Sequence, residues 1–494
     1  MSYKDFFNFN ISDKIKLIFD YREAEFLVIS IIELILKKQG KSLQKFVKEE
    51  FLYKDGKKSF LEFDAVAPDG IEGISGPTII EFKKSFNESV FEFIKQSHYF
   101  YPKYKSILLI IGTYLTEDDK RLFKDFSKDM PIDFNFIVWD YQDIIKVAGQ
   151  LDNNDEIDII YKNIHNSILD HTVNSAINLD DWLEESDYLI NEVNQQFKKD
   201  DVVFFIGAGV SKDAGLPTWD ELLRSLNISI IESRIPFKLN LKEKDEIINL
   251  LTKIQSGTPL VTASYIRKAL ELDFLEEIRK ALYKDVKPIG KQKQLESIAK
   301  ASRPLIGKLG MKAIITYNFD DLLENHLEKR NIDYKSIYRE GDFEIPTKRP
   351  VYHVHGFVPS NVDKYPQLDK GLLVFAEDGY HTLQNDPYSW SNLVQLKALR
   401  ESTCVLIGLS GIDPNLRRLF SNFSQRIDGC KHYILLERQL KDADSSLGRD
   451  NFKQFSNLHH KLQEGVFKEL GLKVIWYKDY DDIPNIIDRI AESD

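Results

Sequence analysis

Cysteine is nearly absent from this chain of 494 residues: Cys404 and Cys430 are its two examples, too few for a disulfide framework or for a zinc cage built from thiolates. A reducing, cytoplasmic setting is expected. Long apolar runs are also missing, since the stretch Phe26 to Leu36 is short and carries Glu33 inside it. The opening MSYKDFFNFN has no basic region leading into an apolar stretch, so neither a leader nor a membrane span is expected. There is no excess of positive charge: 67 Lys and Arg against 78 Asp and Glu leave a net charge of −11, which argues against coating nucleic acid by bulk electrostatics while leaving room for a local basic groove. No internal repeat or low-complexity tract occurs. What remains, 43% hydrophobic and 29% charged residues, is the make-up of a globular protein, and the length predicts two or three domains at roughly 100–200 residues each.

Residues 1–150 read as a compact α/β unit. Periodicity predicts helices at about Tyr21 to Lys38 and Glu88 to Phe100, and strands at Lys58 to Ala67, Thr78 to Phe82, Ser106 to Ile111 and Phe134 to Trp139. From Gln150 the text turns polar and helical, which predicts a link over 151–184. Residues 185–494 then follow a polar helix (Asp180 to Lys198) with apolar strands at Val202 to Ile206, Ala313 to Thr316, Val351 to His355, Leu372 to Phe375, Cys404 to Ile407, His432 to Leu436 and Val474 to Trp476. Helical text mostly separates them, the signature of a Rossmann-like, doubly wound parallel α/β sheet. An insert at about 227–309 reads as a small helical subdomain or lid.

The loop GAGVSKDAGLPTW follows the first of these strands and precedes a helix, so Gly207 and Gly209 could let backbone N–H groups approach a pyrophosphate. Lys212 stands where a dinucleotide fingerprint has its third glycine, and a bare G-x-G fits a tight strand-to-helix turn equally well. The longer run Gly207, Ala208, Gly209, Ser211, Ala214, Gly215, Pro217 resembles the cofactor loop of the sirtuin family. Three further strings follow in that family's order: TYNFD (Thr316 to Asp320), HVHG (from His353) and GLSGIDPNLRRLF (from Gly408). The resemblance covers residues from about 185 to 494.

That resemblance implies NAD+ as substrate. Gly207, Ala208, Gly209 and Ser211 would hold the pyrophosphate, with Pro217 and Trp219 in the same cofactor loop, and Gly408, Ser410 and Asp413 would lie near the adenosine end. Asn318 would position water and ribose, Asp320 would bind ribose hydroxyls or nicotinamide, and His355 would act as general base, its imidazole titrating near ~6.5. His353, two residues earlier on the same strand, should face the same side; it is the second candidate for the base, and reads more as a residue that packs beside the site or supports it. Deacylase sirtuins fold around zinc held by two CxxC pairs, which this chain cannot make. They also carry an arginine after the glycine loop where this chain has Thr218-Trp219-Asp220, and glutamine before the asparagine where it has Tyr317. These departures resemble the sirtuin-like NAD hydrolases of bacterial antiphage defence, which imply NAD+ depletion, an inactive resting state, release by a protein partner or nucleotide signal on infection, and homo-oligomerisation. A protein deacylase is the alternative within the family.

In the first domain, F-L-E-F-D-A-V places Asp64 on one strand, and seventeen residues on, IIEFKKS places Glu81 and Lys83 on one face of the next. Two carboxylates and a lysine in this arrangement can hold Mg²⁺ and orient a water. The pattern resembles the D…E-x-K site of restriction-endonuclease-like (PD-(D/E)XK, Mrr-like) nucleases, with Glu25 or Glu33 on the preceding helix as a further carboxylate. It implies DNA as a partner, and a second class of function in which the chain is a Mg²⁺-dependent endonuclease whose sirtuin-like part senses nucleotide.

Overall fold

The computed structural model describes residues 21–100, 102–104, 106–127, 135–149, 154–177, 182–234, 240, 242–243, 246–247, 250, 259–304, 310–424, 430–438 and 448–493. It divides into two compact units: Met1–Trp182 with Ser421–Cys430 and Leu440–Gly471, and Leu183–Phe420 with Lys431–Gln439 and Leu472–Asp494.

The N-terminal unit is built on a mixed five-stranded sheet in the order β1-β2-β3-β4-β5, with β1 Gln44–Leu52, β2 Lys58–Ala67, β3 Thr78–Lys83, β4 Ser106–Ile111 and β5 Asn135–Trp139. The first two pairings are antiparallel and the last two parallel. Alternation sets the layers: Ile80, Phe82, Leu108 and Ile110 join a core with helix α1 (Tyr21–Lys38), while Ile79, Ile107, Leu109 and Ile111 join a second core with Phe93 of α2 (Glu88–Ser97). Helices α3 (Glu117–Ser127) and α4 (Tyr141–Ala148) flank β5 in sequence. Strand β1 was not expected; its sequence QKFVKEEFL is charged and mostly exposed, as suits a sheet edge. Over 154–177, where the sequence reads as a polar link, α5 (Asn154–Lys162) and α6 (Ile164–Ile177) bury Ile157 and Ile164 in this unit's core.

The C-terminal unit opens with α7 (Trp182–Lys198). Its seven-stranded, all-parallel sheet has the order β12-β11-β10-β6-β7-β9-β8, with β6 Val202–Ile206, β7 Met311–Thr316, β8 Tyr334–Ile337, β9 Arg349–His353, β10 Thr403–Ile407, β11 His432–Glu437 and β12 Leu472–Tyr477. This is the doubly wound α/β sheet that the strand-helix alternation predicts. Strand β6 is central: all five of its residues are buried, and at roughly 1.5–3 kcal/mol per large apolar side chain it anchors the unit. The chain lays β7 to β9 on one side of β6, then returns to lay β10 to β12 on the other. The order therefore reverses between β6 and β10, and that is where an open α/β sheet forms its ligand crevice.

One expectation is corrected here. Leu372 to Phe375 joins no sheet; its apolar character reflects burial of Val374 and Phe375, the latter packed against Trp219, Phe274 and Phe319. Among the described residues the insert is helical, as expected: α10 (Pro259–Leu270), α11 (Phe274–Tyr283) and α12 (Lys293–Ala301) send Ile266, Ile278 and Ile298 into the same core as the sheet. Ahead of it, α8 (Ala208–Lys212) and α9 (Trp219–Arg234) send Val210 and Leu222 there too. The rest of 235–258 and 305–309 lies almost wholly outside the described residues.

Candidate active site

Four neighbouring strands deliver polar residues at their carboxyl ends: β6 leads into Gly207, β7 into Tyr317 to Asp320, β9 into His355, and β10 into Gly408 to Asp413. Glycine is what lets the β6 and β10 loops interlock. Gly207 N–H donates to the Ile407 carbonyl at 3.0 Å and Gly209 N–H to the Gly408 carbonyl at 2.9 Å. A Cβ on Gly209 would stand 2.7 Å from the Gly408 Cα, closer than any side chain tolerates. Ala208 lies exposed at the start of α8, while Ser211 is buried inside it.

Ser211 ties the glycine loop to the end of β7. Its hydroxyl donates to Asp320 Oδ2 at 2.9 Å and accepts from Asn318 Nδ2 at 2.9 Å, and the same Nδ2 donates to the Gly207 carbonyl at 3.1 Å. A carbonyl can only accept, so the amide orientation of Asn318 is settled: its nitrogen faces the loop and its Oδ1 is left to accept from a water or hydroxyl. The Leu322 N–H bonds Asp320 Oδ1 at 3.1 Å. Burial drives the Asp320 carboxyl up to about 6, opposed by its bonds from Leu322 and Ser211.

His355 lies one turn beyond the end of β9. Its ring packs against Tyr317 at 4.2 Å, and its Nε2 is buried without a hydrogen-bond partner, 3.9 Å from Asp413 Oδ1. Burial pulls the imidazole below its ordinary value, against the pull of Asp413, so the neutral form that can take a proton is favoured near neutrality. The turn requires Gly356, whose φ of +126° is open to glycine and whose Cβ would meet the Leu372 carbonyl at 2.8 Å. Because β9 ends at His353, the two histidines do not share a side as expected. His353 turns to Phe357 and bonds Glu324 Oε1 at 2.8 Å and the Asn318 carbonyl at 3.3 Å, bracing the asparagine from behind.

Several residues at this site escaped sequence reasoning. Tyr380, on α14 (Glu377–Asn385), donates to Asp413 Oδ2 at 2.6 Å and sets its ring edge-on to His355 at 5.6 Å. Gln395, on α15 (Trp390–Glu401), accepts from the Tyr317 hydroxyl. Tyr283 of α11 donates to Asp321 Oδ1 at 2.8 Å, so the insert holds the loop after Asp320. None carried a local signal. Of the remaining expected cofactor residues, Pro217 is half-buried, Trp219 packs on Phe375 at 4.9 Å against the core, Gly408 sits against the glycine loop, and Ser410 is exposed. Asp413 precedes α16 (Pro414–Ser424) and accepts the Leu416 N–H at 2.8 Å.

In the N-terminal unit, Asp64 and Glu81 lie on the paired strands β2 and β3, and both are buried with Glu25 of α1. Asp64 Oδ2 accepts from the Phe82 N–H at 2.6 Å, and Lys83 Nζ donates to Glu81 Oε1 at 2.7 Å. Burial, then the neighbouring carboxylates, raises Asp64 well above the usual carboxylate range; burial also raises Glu81, opposed by Lys83. One oxygen of Glu25 is buried without a partner. The oxygen donors suit Mg²⁺ by type, yet among the described residues no three His, Cys, Asp or Glu side chains are grouped so as to hold a metal ion, so no step is derived through one. Among them, too, no helix is long and apolar enough to cross a membrane.

A family model described as a SIR2-like domain matches residues 312–458, from β7 onward. The chain is 22% identical over 319 residues to the protein named NAD(+) hydrolase ThsA of Enterococcus faecium, covering 62% of this chain and 58% of that one. Proteins of the same name from Acinetobacter baumannii (22% over 324 residues) and Bacillus cereus (20% over 316 residues) are also similar, each covered over 56% of its length. The chain thus spans little more than half the length of these curated relatives. A solved structure titled "Structural Basis for the Mechanism and Regulation of Sir2 Enzymes" aligns over 56% of this chain and 97% of that one, at 14% identity and a TM-score of 0.26. The family match starts on β7 and takes in Asn318, His355 and Asp413, so the similarity to SIR2-like domains covers these residues of the site.

Proposed function

We propose that the C-terminal unit hydrolyses NAD+ to nicotinamide and ADP-ribose, and that the chain is an antiphage effector whose release on infection depletes NAD+. The observation that carries this reading is a buried His355, its imidazole kept neutral by burial and packed on Tyr317, beside an Asn318 whose Nδ2 is held by Gly207 and Ser211 so that Oδ1 is left to accept. Cleaving the bond between nicotinamide and ribose leaves an electron-poor sugar carbon. Asn318 holds the attacking water, and the neutral imidazole of His355 takes its proton as the new C–O bond forms. The bonding pair of the broken C–N bond returns to nicotinamide, neutralising its ring charge, so no acid is needed for departure. Asp320 fixes Ser211, and through it Asn318. The names of the ThsA relatives support the reaction type.

An effector that cleaved NAD+ continuously would poison its own host, so the reading includes a silent resting state. The test is NAD+ consumption by the full-length protein, with and without lysate of infected cells, following nicotinamide and ADP-ribose. Loss of NAD+ with wild type and not with His355→Ala supports the reading. Absence of loss under every condition refutes it.

A second reading has its own observation, the buried grouping of Glu25, Asp64, Glu81 and Lys83 in the N-terminal unit. Here that unit cuts or senses DNA. Mg²⁺-dependent DNA cleavage abolished by Glu81→Ala supports it, and cleavage indifferent to Glu81 removes it.

A further inference from the structure

The resemblance assigns Asp413 to the adenosine end of the substrate, but its surroundings point elsewhere. Its carboxylate is held on two sides: Oδ1 accepts the Leu416 N–H at 2.8 Å, which fixes it at the start of α16, and Oδ2 accepts the Tyr380 hydroxyl at 2.6 Å. The free direction of Oδ1 faces His355 Nε2, 3.9 Å away. That nitrogen is buried and has no hydrogen-bond partner, although a buried ring N–H or lone pair is costly to leave unmatched. Tyr380 packs edge-on against the same imidazole, and Tyr317 packs at 4.2 Å on it. Among the described residues the imidazole therefore lies between two tyrosines and one carboxylate, and that carboxylate is anchored at a helix start.

We propose that Asp413, held by Tyr380, is the positioning carboxylate of His355, fixing its tautomer and balancing the charge it acquires. This deepens the NAD+ hydrolase reading and rests on it for the identity of the reaction. With Nε2 turned to Asp413, the proton of the neutral ring belongs on Nε2, and Nδ1 is the nitrogen left with a lone pair for the water. When Nδ1 takes the proton, the imidazolium stands beside a fixed negative charge; closing the 3.9 Å gap by about 1 Å makes a charge-assisted hydrogen bond. The proton then passes from the imidazolium to solvent, and the ring is reset. Asp413 acts through His355, and the adenosine end of the substrate is recognised by other groups. The groups facing His355 from the packed elements are Asp413, Tyr380 and Tyr317, and the carboxylate is the one that raises the imidazole against burial.

The experiment uses the full-length protein as wild type, Asp413→Asn and Tyr380→Phe. Asparagine still caps a helix, so loss of the cap is separated from loss of the charge. Two readouts are taken: the His355 titration by ¹⁵N-histidine NMR, and kcat and KM for nicotinamide release across pH. In Asp413→Asn the His355 midpoint falls by roughly one unit, kcat falls about a hundredfold or more, and KM stays within about threefold. Tyr380→Phe moves both readouts in the same direction by less. An unmoved His355 midpoint in Asp413→Asn overturns the proposal, as does a raised KM with intact kcat, which returns Asp413 to the adenosine end. If no variant or wild type cleaves NAD+, the hydrolase reading fails, while the NMR titration still decides whether Asp413 governs His355.

Discussion

Ser211→Ala tests whether the hydroxyl at the crossing of the glycine loop and β7 organises the site. Ser211 is 2% exposed and makes two bonds, one from Asn318 Nδ2 and one to Asp320 Oδ2, both 2.9 Å. Removing one partner of a buried hydrogen bond costs about 1–3 kcal/mol, so the two together give roughly 2–6 kcal/mol. Asp320 has an escape that lowers this figure. With its carboxyl near 6, protonation at pH 7 costs only about 1.4 kcal/mol, so the variant should lose about 2–3 kcal/mol. At about 2–4 °C per kcal/mol for a unit of this size, the melting temperature of the C-terminal unit should drop by about 5–10 °C. The side-chain amide of Asn318 then keeps only its bond to the Gly207 carbonyl. Its amide can rotate away from the water it holds, which predicts a roughly 10- to 100-fold loss of kcat with little change in KM. Differential scanning calorimetry at pH 7.5 and nicotinamide release measure the two quantities. A melting temperature within about 1 °C of wild type, with kcat within about twofold, would refute the claim that Ser211 holds Asn318 and Asp320 together.

Asp320 also predicts a pH dependence. Its folded carboxyl lies near 6 against 3.8 ordinarily, so the folded state binds its proton more tightly. Its contribution is fully present below about 3.8 and is lost as pH rises through about 6, for a total of about 3 kcal/mol. Asp320→Asn should flatten the decline of thermal stability over that window, and an unchanged profile counts against a proton held there. Gly356→Ala should destabilise by more than about 2 kcal/mol, because the left-handed backbone and the Leu372 carbonyl both resist a Cβ; it should also displace His355, whose carbonyl accepts from Val374 at 2.7 Å. Urea unfolding with wild-type stability would contradict this. In the N-terminal unit, Asp64→Asn removes a buried charge from beside Glu81 and Glu25 while leaving an acceptor for the Phe82 N–H. It should stabilise that unit by about 1–2 kcal/mol at pH 8, read as a raised urea midpoint, and a lowered midpoint would show that the carboxylates do not repel.

Legibility from sequence followed the range of the interactions. Val202 to Ile206 was readable because five consecutive apolar residues between polar helix and glycine can only be a strand buried on both faces. Asn318, Asp320 and His355 could be placed near strand ends because each lies close to the end of an apolar run, whereas their roles rest on the resemblance alone. Gln44–Leu52 was hidden because an edge strand needs no apolar face, and Leu372 to Phe375 misled because burial in a loop leaves the same apolar imprint as burial in a sheet. Tyr380 and Gln395 reach Asp413 and Tyr317 across 33 and 78 residues, distances over which no local periodicity reports. The divergence of His353 and His355 depended on where β9 stops, which two-residue alternation does not encode.

The long helix Arg449–Glu469 lies in sequence between β11 and β12 of the C-terminal sheet, yet it packs on α6 in the N-terminal unit. Neither unit is a contiguous stretch of the polypeptide. During synthesis the N-terminal unit must therefore wait, short of one helix, until residue 469 has left the ribosome, and the last strand of the C-terminal sheet, Leu472–Tyr477, emerges later still. Cutting the protein at the apparent boundary near Trp182 would strand that helix with the wrong fragment, leaving α6 without its neighbour. Separate expression of the two units thus calls for grafting the 449–469 helix onto the N-terminal fragment, and for replacing it in the C-terminal fragment with another crossover of about a dozen residues or more, because β11 and β12 run parallel.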